Sequence, residues 1–262
     1  MNQLEKTDIL SLSLEELEQL LIAAGEKKFR AKQIFQWLHV KRVMDFDKMT
    51  DISVQLRQHL KENFCINGLF MQKRLESAID NTVKYLYRLS DGNFVETVLM
   101  DYNYGKSICV STQVGCKMGC NFCASAIAGF VRSLEPSEIL MQIYETERDA
   151  GTRVSGVVLM GIGEPLDNFD NVLKFLSLLS DKNGNNLSLR HVALSTCGIV
   201  PRIYKLADMK LQLTLSVSLH SPYNDKRSEI MPVNRTYNID ELMKACRYYI
   251  DKTGRRITFE YA

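Results

Sequence analysis

Apolar residues recur at two different periods along this chain, and the change of period divides it into two regions. Near the start, Leu14, Leu17, Leu20 and Leu21 are spaced to line one face of a helix. Ser13 and Glu16 form a capping box ahead of that face and Gly25 supplies a stop, so residues 13–25 are predicted helical. Two more helices are predicted over 31–40 and 53–63. Alternating apolar and polar positions then predict strands over 69–77, 82–89 and 93–100, the last two joined by the turn Ser90-Asp91-Gly92-Asn93. These elements describe a small α+β domain over residues 1–101.

Past a boundary near 101–106 the pattern becomes strand, helix, strand. Strands are predicted over 107–112, 156–160, 191–195, 211–219 and 257–261, with helices over 136–150, 168–180, 200–207 and 239–252. Such alternation implies parallel strands joined by right-handed crossovers, an α/β sheet. A closed eight-fold barrel takes about 250 residues, so residues 102–262 are expected to form an open, curved partial (β/α) barrel, incomplete at its C-terminus. Loops at the C-terminal ends of parallel strands build active sites. The cysteine-rich segment, GIGEP, STCG and SLHSP all fall at such ends and should share one rim.

Composition adds little to the fold. The chain is 45% hydrophobic and 24% charged with a net charge of +2, so overall charge selects no partner class. No apolar run approaches the roughly 18 residues that cross a bilayer, and the polar, acidic start lacks a signal-peptide core. No membrane association and a cytoplasmic location are expected. Charge distribution says more: residues 26–42 carry six Lys/Arg against one Glu, interleaved with Phe29, Phe35 and Trp37. Cations beside rings suit an RNA surface; an amphipathic helix with a solvated basic face and buried aromatics is the plainer reading.

Seven cysteines without a secretion signal argue against a disulfide framework. Cys65, Cys197 and Cys246 stand alone and read as buried small hydrophobes. Cys109, Cys116, Cys120 and Cys123 crowd into fifteen residues. Cys116, Cys120 and Cys123, in the spacing CxxxCxxC, can each bind one iron of a [4Fe–4S] cubane and leave its fourth iron without a protein ligand. S-adenosylmethionine (SAM) can chelate that iron through its amino and carboxylate groups, and one electron then splits its sulfonium to release a 5′-deoxyadenosyl radical. Phe122 could pack over the cluster or the adenine. A zinc knot is the competing reading, with Cys109 or a distant His as its fourth ligand.

The motif resembles that of radical SAM enzymes, and the match is closest to the RlmN/Cfr family of RNA adenine methyltransferases. GEKKFRAKQIFQW, FVETVLM, CVSTQVGCKMGCNFC, MGIGEPLDN, SLHSPYNDKRSEIMPVN and TFEYA carry the resemblance, and the intact GEPLDN favours the RlmN branch. The resemblance implies that Gly163 and Glu164 contact SAM, as do Ser195, Ser218, Leu219 and His220. Taken alone, Ser195 reads as a strand-end cap and His220 as a satisfied loop histidine. It further implies methylation of adenine C2 in 23S rRNA and tRNA, whereas the Cfr branch attacks C8. Two SAM molecules serve in turn: one methylates a C-terminal cysteine, the other generates the radical that activates that methyl group. Cys109 matches the cysteine that resolves the resulting protein–RNA adduct, a disulfide forming as product leaves, and Glu96 matches the proton acceptor. An electron donor for the cluster is implied, and a monomer is expected. The family continues beyond the position of Ala262, and no cysteine here matches the methyl carrier, so this chain is expected to be an N-terminal fragment that binds the cluster without methylating RNA. A different radical SAM enzyme, and a non-catalytic zinc- or RNA-binding module, are the alternatives.

Overall fold

A computed structural model of the chain describes residues 6–127 and 129–261. Residues 1–5 of the polar N-terminal stretch, Ala128 in the cysteine-rich segment and Ala262 of TFEYA lie outside the described residues.

The N-terminal region packs three helices, α1 (Leu14–Ala23), α2 (Phe29–His39) and α3 (Val54–Asn63). The expected capping box is made: the Glu16 amide donates to Ser13 Oγ (3.2 Å) and the Ser13 amide to Glu16 Oε2 (2.7 Å). Strands β1 (Thr7–Asp8) and β2 (Phe64–Cys65) pair in parallel and clip the ends of this helical unit together. Three antiparallel strands follow, β3 (Phe70–Glu76), β4 (Val83–Arg88) and β5 (Phe94–Tyr102), and a tight hairpin leads into β6 (Gly105–Cys109).

That hairpin coincides with the expected domain boundary, and the sheet runs straight across it. One eight-stranded sheet has the order β12-β11-β10-β9-β6-β5-β4-β3. Its parallel half comprises β6, β9 (Gly156–Leu159), β10 (Val192–Thr196), β11 (Thr214–Ser218) and β12 (Ile257–Glu260), in chain order. Helices α5 (Pro136–Ala150), α6 (Phe169–Ser180), α7 (Val200–Asp208) and α9 (Ile239–Thr253) are the crossovers. This is the expected open α/β partial barrel, with all five parallel strands where the apolar pattern put them. Strand 107–112 stops early: after Cys109 the chain leaves the ladder, and the Thr112 and Gln113 amides turn to the Ile162 carbonyl. Not anticipated were the antiparallel pair β7 (Gln113–Gly115) and β8 (Phe130–Ser133), the single turn α4 (Ala124–Ile127), the short helix α8 (Asn224–Ile230) and the β1–β2 pair. One continuous hydrophobic core joins the N-terminal helices to the sheet. Among the described residues no helix is long and apolar enough to cross a membrane.

His39 lies in that joint. Its ring packs against Phe35 (4.2 Å between centroids), and Nδ1 hydrogen-bonds the Tyr144 hydroxyl of α5 at 3.1 Å. Burial pushes its pKa down to about 4, against the opposing pull of Asp181. The folded state therefore holds His39 neutral, while the unfolded chain takes up a proton near pH 6.5. Stability from this site is complete above pH 6.5 and is lost as pH falls toward 4, by about 3 kcal/mol in all. Replacing His39 with Phe should flatten the drop in melting temperature between pH 7 and pH 5; an equal drop in both proteins would contradict this assignment.

Candidate active site

Three features of the backbone shape the cysteine loop. β7 delivers the chain to Cys116, whose amide donates to the Gly129 carbonyl (3.1 Å), so β7 and β8 close the loop at its base. Gly115 sits at φ +73°, and a Cβ there would lie 1.7 Å from the Gly129 oxygen, so only glycine fits. The Cys123 amide bonds back to the Cys120 carbonyl (3.1 Å), and the Asn121 amide to the Ile230 carbonyl of α8 (2.9 Å). The unanticipated α8 thus braces the tip of the loop.

Cys116, Cys120 and Cys123 line one cavity of about 380 Å³ together with Gly163, Glu164, Ser195, Ser218 and His220. The expectation of a shared rim holds for these eight residues. Burial raises the thiol of Cys116 and pushes that of Cys120 up to about 11. Metal binding at these sulfurs therefore releases protons. Phe122 also lines the cavity, and its ring meets His220 edge-on at 4.6 Å.

The opposite wall is built by backbone placement. Gly161 and Gly163 pass so close to the chain after β6 that a Cβ on Gly163 would stand 2.5 Å from the Gln113 side chain. Gln113 Oε1 accepts from the Glu164 amide (2.9 Å). The Glu164 carboxylate, 4% exposed, accepts from the Leu166 amide through Oε1 (3.0 Å) and the Cys197 amide through Oε2 (2.8 Å). Burial still raises its pKa, so the site favours a cation placed against it. Ser195 lies inside β10, one residue before the strand's end, and Ser218 ends β11. Both hydroxyls donate to Glu260 Oε2, at 2.9 Å each. Leu219 lies off the cavity wall; its amide and that of His220 both bond the Glu260 carbonyl (3.1 Å).

Glu96 and Cys109 stand further along the same face of the sheet. Register pairs Val98 with Cys109, Cys109 with Val158, Ser195 with Ser216 and Ser218 with Glu260. With side chains alternating along each strand, Glu96, Cys109, Ser195, Ser218 and Glu260 project from one face. Glu96 forms an ion pair with Lys84 (2.9 Å) and lines a second cavity of about 270 Å³ beside the cysteine loop. Cys109 lines neither cavity, and burial pushes its thiol up to about 11.

Among the cavity residues that the sequence reading did not single out, Cys197 and Glu260 stand out for their chemistry. Cys197, read as a core hydrophobe, is buried but lines the cavity with the three motif cysteines. Glu260 lies within the TFEYA motif, yet only strand register places its carboxylate against two serines from other strands. Of the other two isolated cysteines, Cys246 is buried as expected, whereas Cys65 is only half-buried. All seven cysteines are free. Among the described residues no three His, Cys, Asp or Glu side chains assemble a site for a single metal ion. The donor set fits a cubane, whose ligands each hold a different iron: three sulfurs on one loop face a wall of carboxylate, hydroxyl and glycine backbone groups. SAM carries an ammonium, a carboxylate and a ribose, which suit that wall.

The model of the radical SAM superfamily matches residues 110–261, which takes in the cysteine loop and the parallel strands β9 to β12. The chain is a radical SAM enzyme, and its cofactors are a [4Fe–4S] cluster and SAM. The model described as the ribosomal RNA large subunit methyltransferase N-terminal domain matches residues 7–66. The probable dual-specificity RNA methyltransferase RlmN of Lachnospira eligens is 53% identical over 98% of the chain and 73% of its own length. That of Clostridioides difficile is 51% identical over 98% of the chain and 75% of its own length. The crystal structure of a radical SAM methyltransferase from Sphaerobacter thermophilus superposes with a TM-score of 0.91 at 40% identity, covering 97% of this chain and 76% of that one. The chain belongs to the RlmN family of RNA methyltransferases.

Proposed function

We propose that this protein methylates C2 of adenine in 23S rRNA and tRNA, using one SAM to charge a cysteine with a methyl group and a second to activate that methyl. The observation that carries the reading is the convergence of Cys116, Cys120, Cys123, Gly163, Glu164, Ser195, Ser218 and His220 on one cavity, with Glu96 and Cys109 on the adjoining sheet face. Cys116, Cys120 and Cys123 hold the cluster, which with SAM supplies a radical able to abstract hydrogen. Adenine C2 is electrophilic and cannot attack a methyl sulfonium directly, which is why radical chemistry is needed.

Each residue then has a physical task. Glu164 presents a buried carboxylate, fixed by two backbone amides, to the SAM ammonium. Gly163 lets the chain approach closely because no side chain fits there. Ser195 and Ser218, held by Glu260, would face the ribose and the methionine moiety together with His220; Leu219, off the cavity wall, would serve through its amide bond to the Glu260 carbonyl, which anchors the chain at His220. Glu96 accepts a proton from the substrate at the second cavity. Cys109 resolves the adduct; its raised pKa keeps the thiol protonated until a base withdraws the proton. None of Cys65, Cys197 and Cys246 matches the methyl carrier, and the chain spans about three quarters of the length of the curated relatives it matches.

We assign residues 1–101 to RNA capture and residues 102–262 to catalysis, in a cytoplasmic monomer that takes its electron from a separate donor. α2 buries Phe35 and leaves Phe29 at 52% exposure, with Lys27, Lys28 and Lys32 exposed. Aromatic and cationic groups thus share one surface. Reversing the charge of Lys27, Lys28 and Arg30 should weaken RNA binding about tenfold and flatten its salt dependence, with cluster content unchanged; unaltered affinity would remove this segment from the RNA surface. The complete gene product, incubated without oxygen with SAM, reductant and RNA, should yield 2-methyladenosine by mass spectrometry of digested 23S rRNA and tRNA. Appearance of 8-methyladenosine, or of no methylated adenine, would overturn the proposal.

A further inference from the structure

Arg227 is the largest fully buried side chain among the described residues, at 0% exposure. Its guanidinium donates to four neutral oxygens: the carbonyls of Cys197 (2.7 Å), Ser218 (3.0 Å) and Leu219 (3.2 Å), and Asn234 Oδ1 (2.8 Å). No Asp or Glu among the described residues forms an ion pair with it; the groups that would favour its charge are Cys197, Cys120 and Cys246, and only as thiolates. Burial pulls its pKa below the ordinary guanidinium range.

A buried cation without a counter-anion is costly, and neutral acceptors only partly offset the lost hydration. The bonds to Cys197, Ser218 and Leu219 do tie together the chain after β10 and after β11, two walls of the cavity. A neutral amide could make part of that tie without the cost of burying charge. The charge is explained by what the cavity is built to hold. A cubane bound by three thiolates is a net anion, and it becomes more anionic on reduction. Cys120, one of its three ligands, lies within electrostatic reach of Arg227.

We propose that Arg227 is the buried counter-charge of the iron–sulfur cluster, a positioning residue that stabilises the reduced form and so makes the cluster easier to reduce. This rests on the cluster assignment above. In the apoprotein Arg227 is a destabilising buried charge, and loading the cluster completes an ion pair.

The test is an anaerobic potentiometric titration with dithionite, followed by electron paramagnetic resonance, on the 262-residue chain reconstituted with iron and sulfide. Iron content and visible absorbance come first: a wild-type chain that binds no cluster defeats the cluster assignment itself, before Arg227 is tested. With the cluster in place, Arg227→Gln should shift the midpoint to more negative potential, lowering the equilibrium constant for reduction about tenfold, or about 59 mV for one electron. Arg227→Lys, which keeps the charge but not the fork of hydrogen bonds, should stay within about threefold of wild type, about 30 mV on the same one-electron scale. A purely structural tie predicts the reverse: equal damage in both variants and no shift in potential. If Arg227→Gln does not fold, Asn234→Asp decides the matter, because it sets a carboxylate against the guanidinium and should move the potential in the same negative direction. An unchanged midpoint in every variant that loads a full cluster would overturn the proposal.

Discussion

Replacing Cys120 with Ala leaves a folded chain that takes up no intact cluster and releases no 5′-deoxyadenosine from SAM. Cys120 sits on a loop whose shape is set by backbone bonds that do not involve its sulfur: Cys116 to Gly129, Cys123 to Cys120 and Asn121 to Ile230. Deleting the thiol therefore removes a ligand while the loop retains its supports. A cubane with two protein thiolates exposes two irons and is readily lost, so iron and acid-labile sulfide should fall from about four per chain to background. Cys246→Ala is the contrasting control. That side chain is buried in α9, so its truncation should cost stability and spare the cluster. Iron analysis and absorbance after anaerobic reconstitution check both; a full cluster in Cys120→Ala would show that the motif is not the metal site.

Nearly as large an effect is expected from one methyl group at Gly115. A Cβ there meets the Gly129 carbonyl oxygen at 1.7 Å and its carbon at 2.8 Å, and both contacts are backbone that no rotamer change can relieve. The same carbonyl accepts the Cys116 amide. Gly115→Ala must therefore either break the β7–β8 pair or swing Cys116 away from its partners. The cost should be about 3 kcal/mol from left-handed strain and overlap together, with loss of cluster uptake. Gly92→Ala separates strain from overlap: it has φ +88° in the turn before β5 but open space around it. It should lose about 1 kcal/mol and load a normal cluster. Chemical denaturation with iron analysis reads both quantities, and equal stability of the two variants would contradict the close approach at Gly115.

Much of the fold was legible because its elements announce themselves locally. The Ser13–Glu16 box needs only four consecutive residues, and it appears with both hydrogen bonds made. The five parallel strands are short apolar runs separated by amphipathic helices, and right-handed crossovers leave little freedom in their order. The cysteine spacing was equally plain, since the chemistry of the site lies in residue type and separation. Less legible were α8, a polar seven-residue helix without apolar periodicity, and the β7–β8 pair, whose partners flank the cysteine loop. The basic stretch over 26–42 shows how the two signals combine: periodicity buries Ala31, Ile34, Phe35 and Leu38, while Phe29 and the lysines around it stay outside.

Three things, then, were set by the amino-acid order alone: an α/β sheet, a three-thiol motif and a glycine-rich loop one strand later. Each depends on contacts or spacings a few residues long. Tertiary structure decided the rest. Strand register, fixed by pairing between distant segments, carries Glu96 and Cys109 onto the face that also bears Ser195, Ser218 and Glu260. Chain packing, not local pattern, put Cys197 on the cavity wall and sealed the charge of Arg227 beneath it. Burial and electrostatic reach are properties of the assembled core, and no short window of sequence contains them.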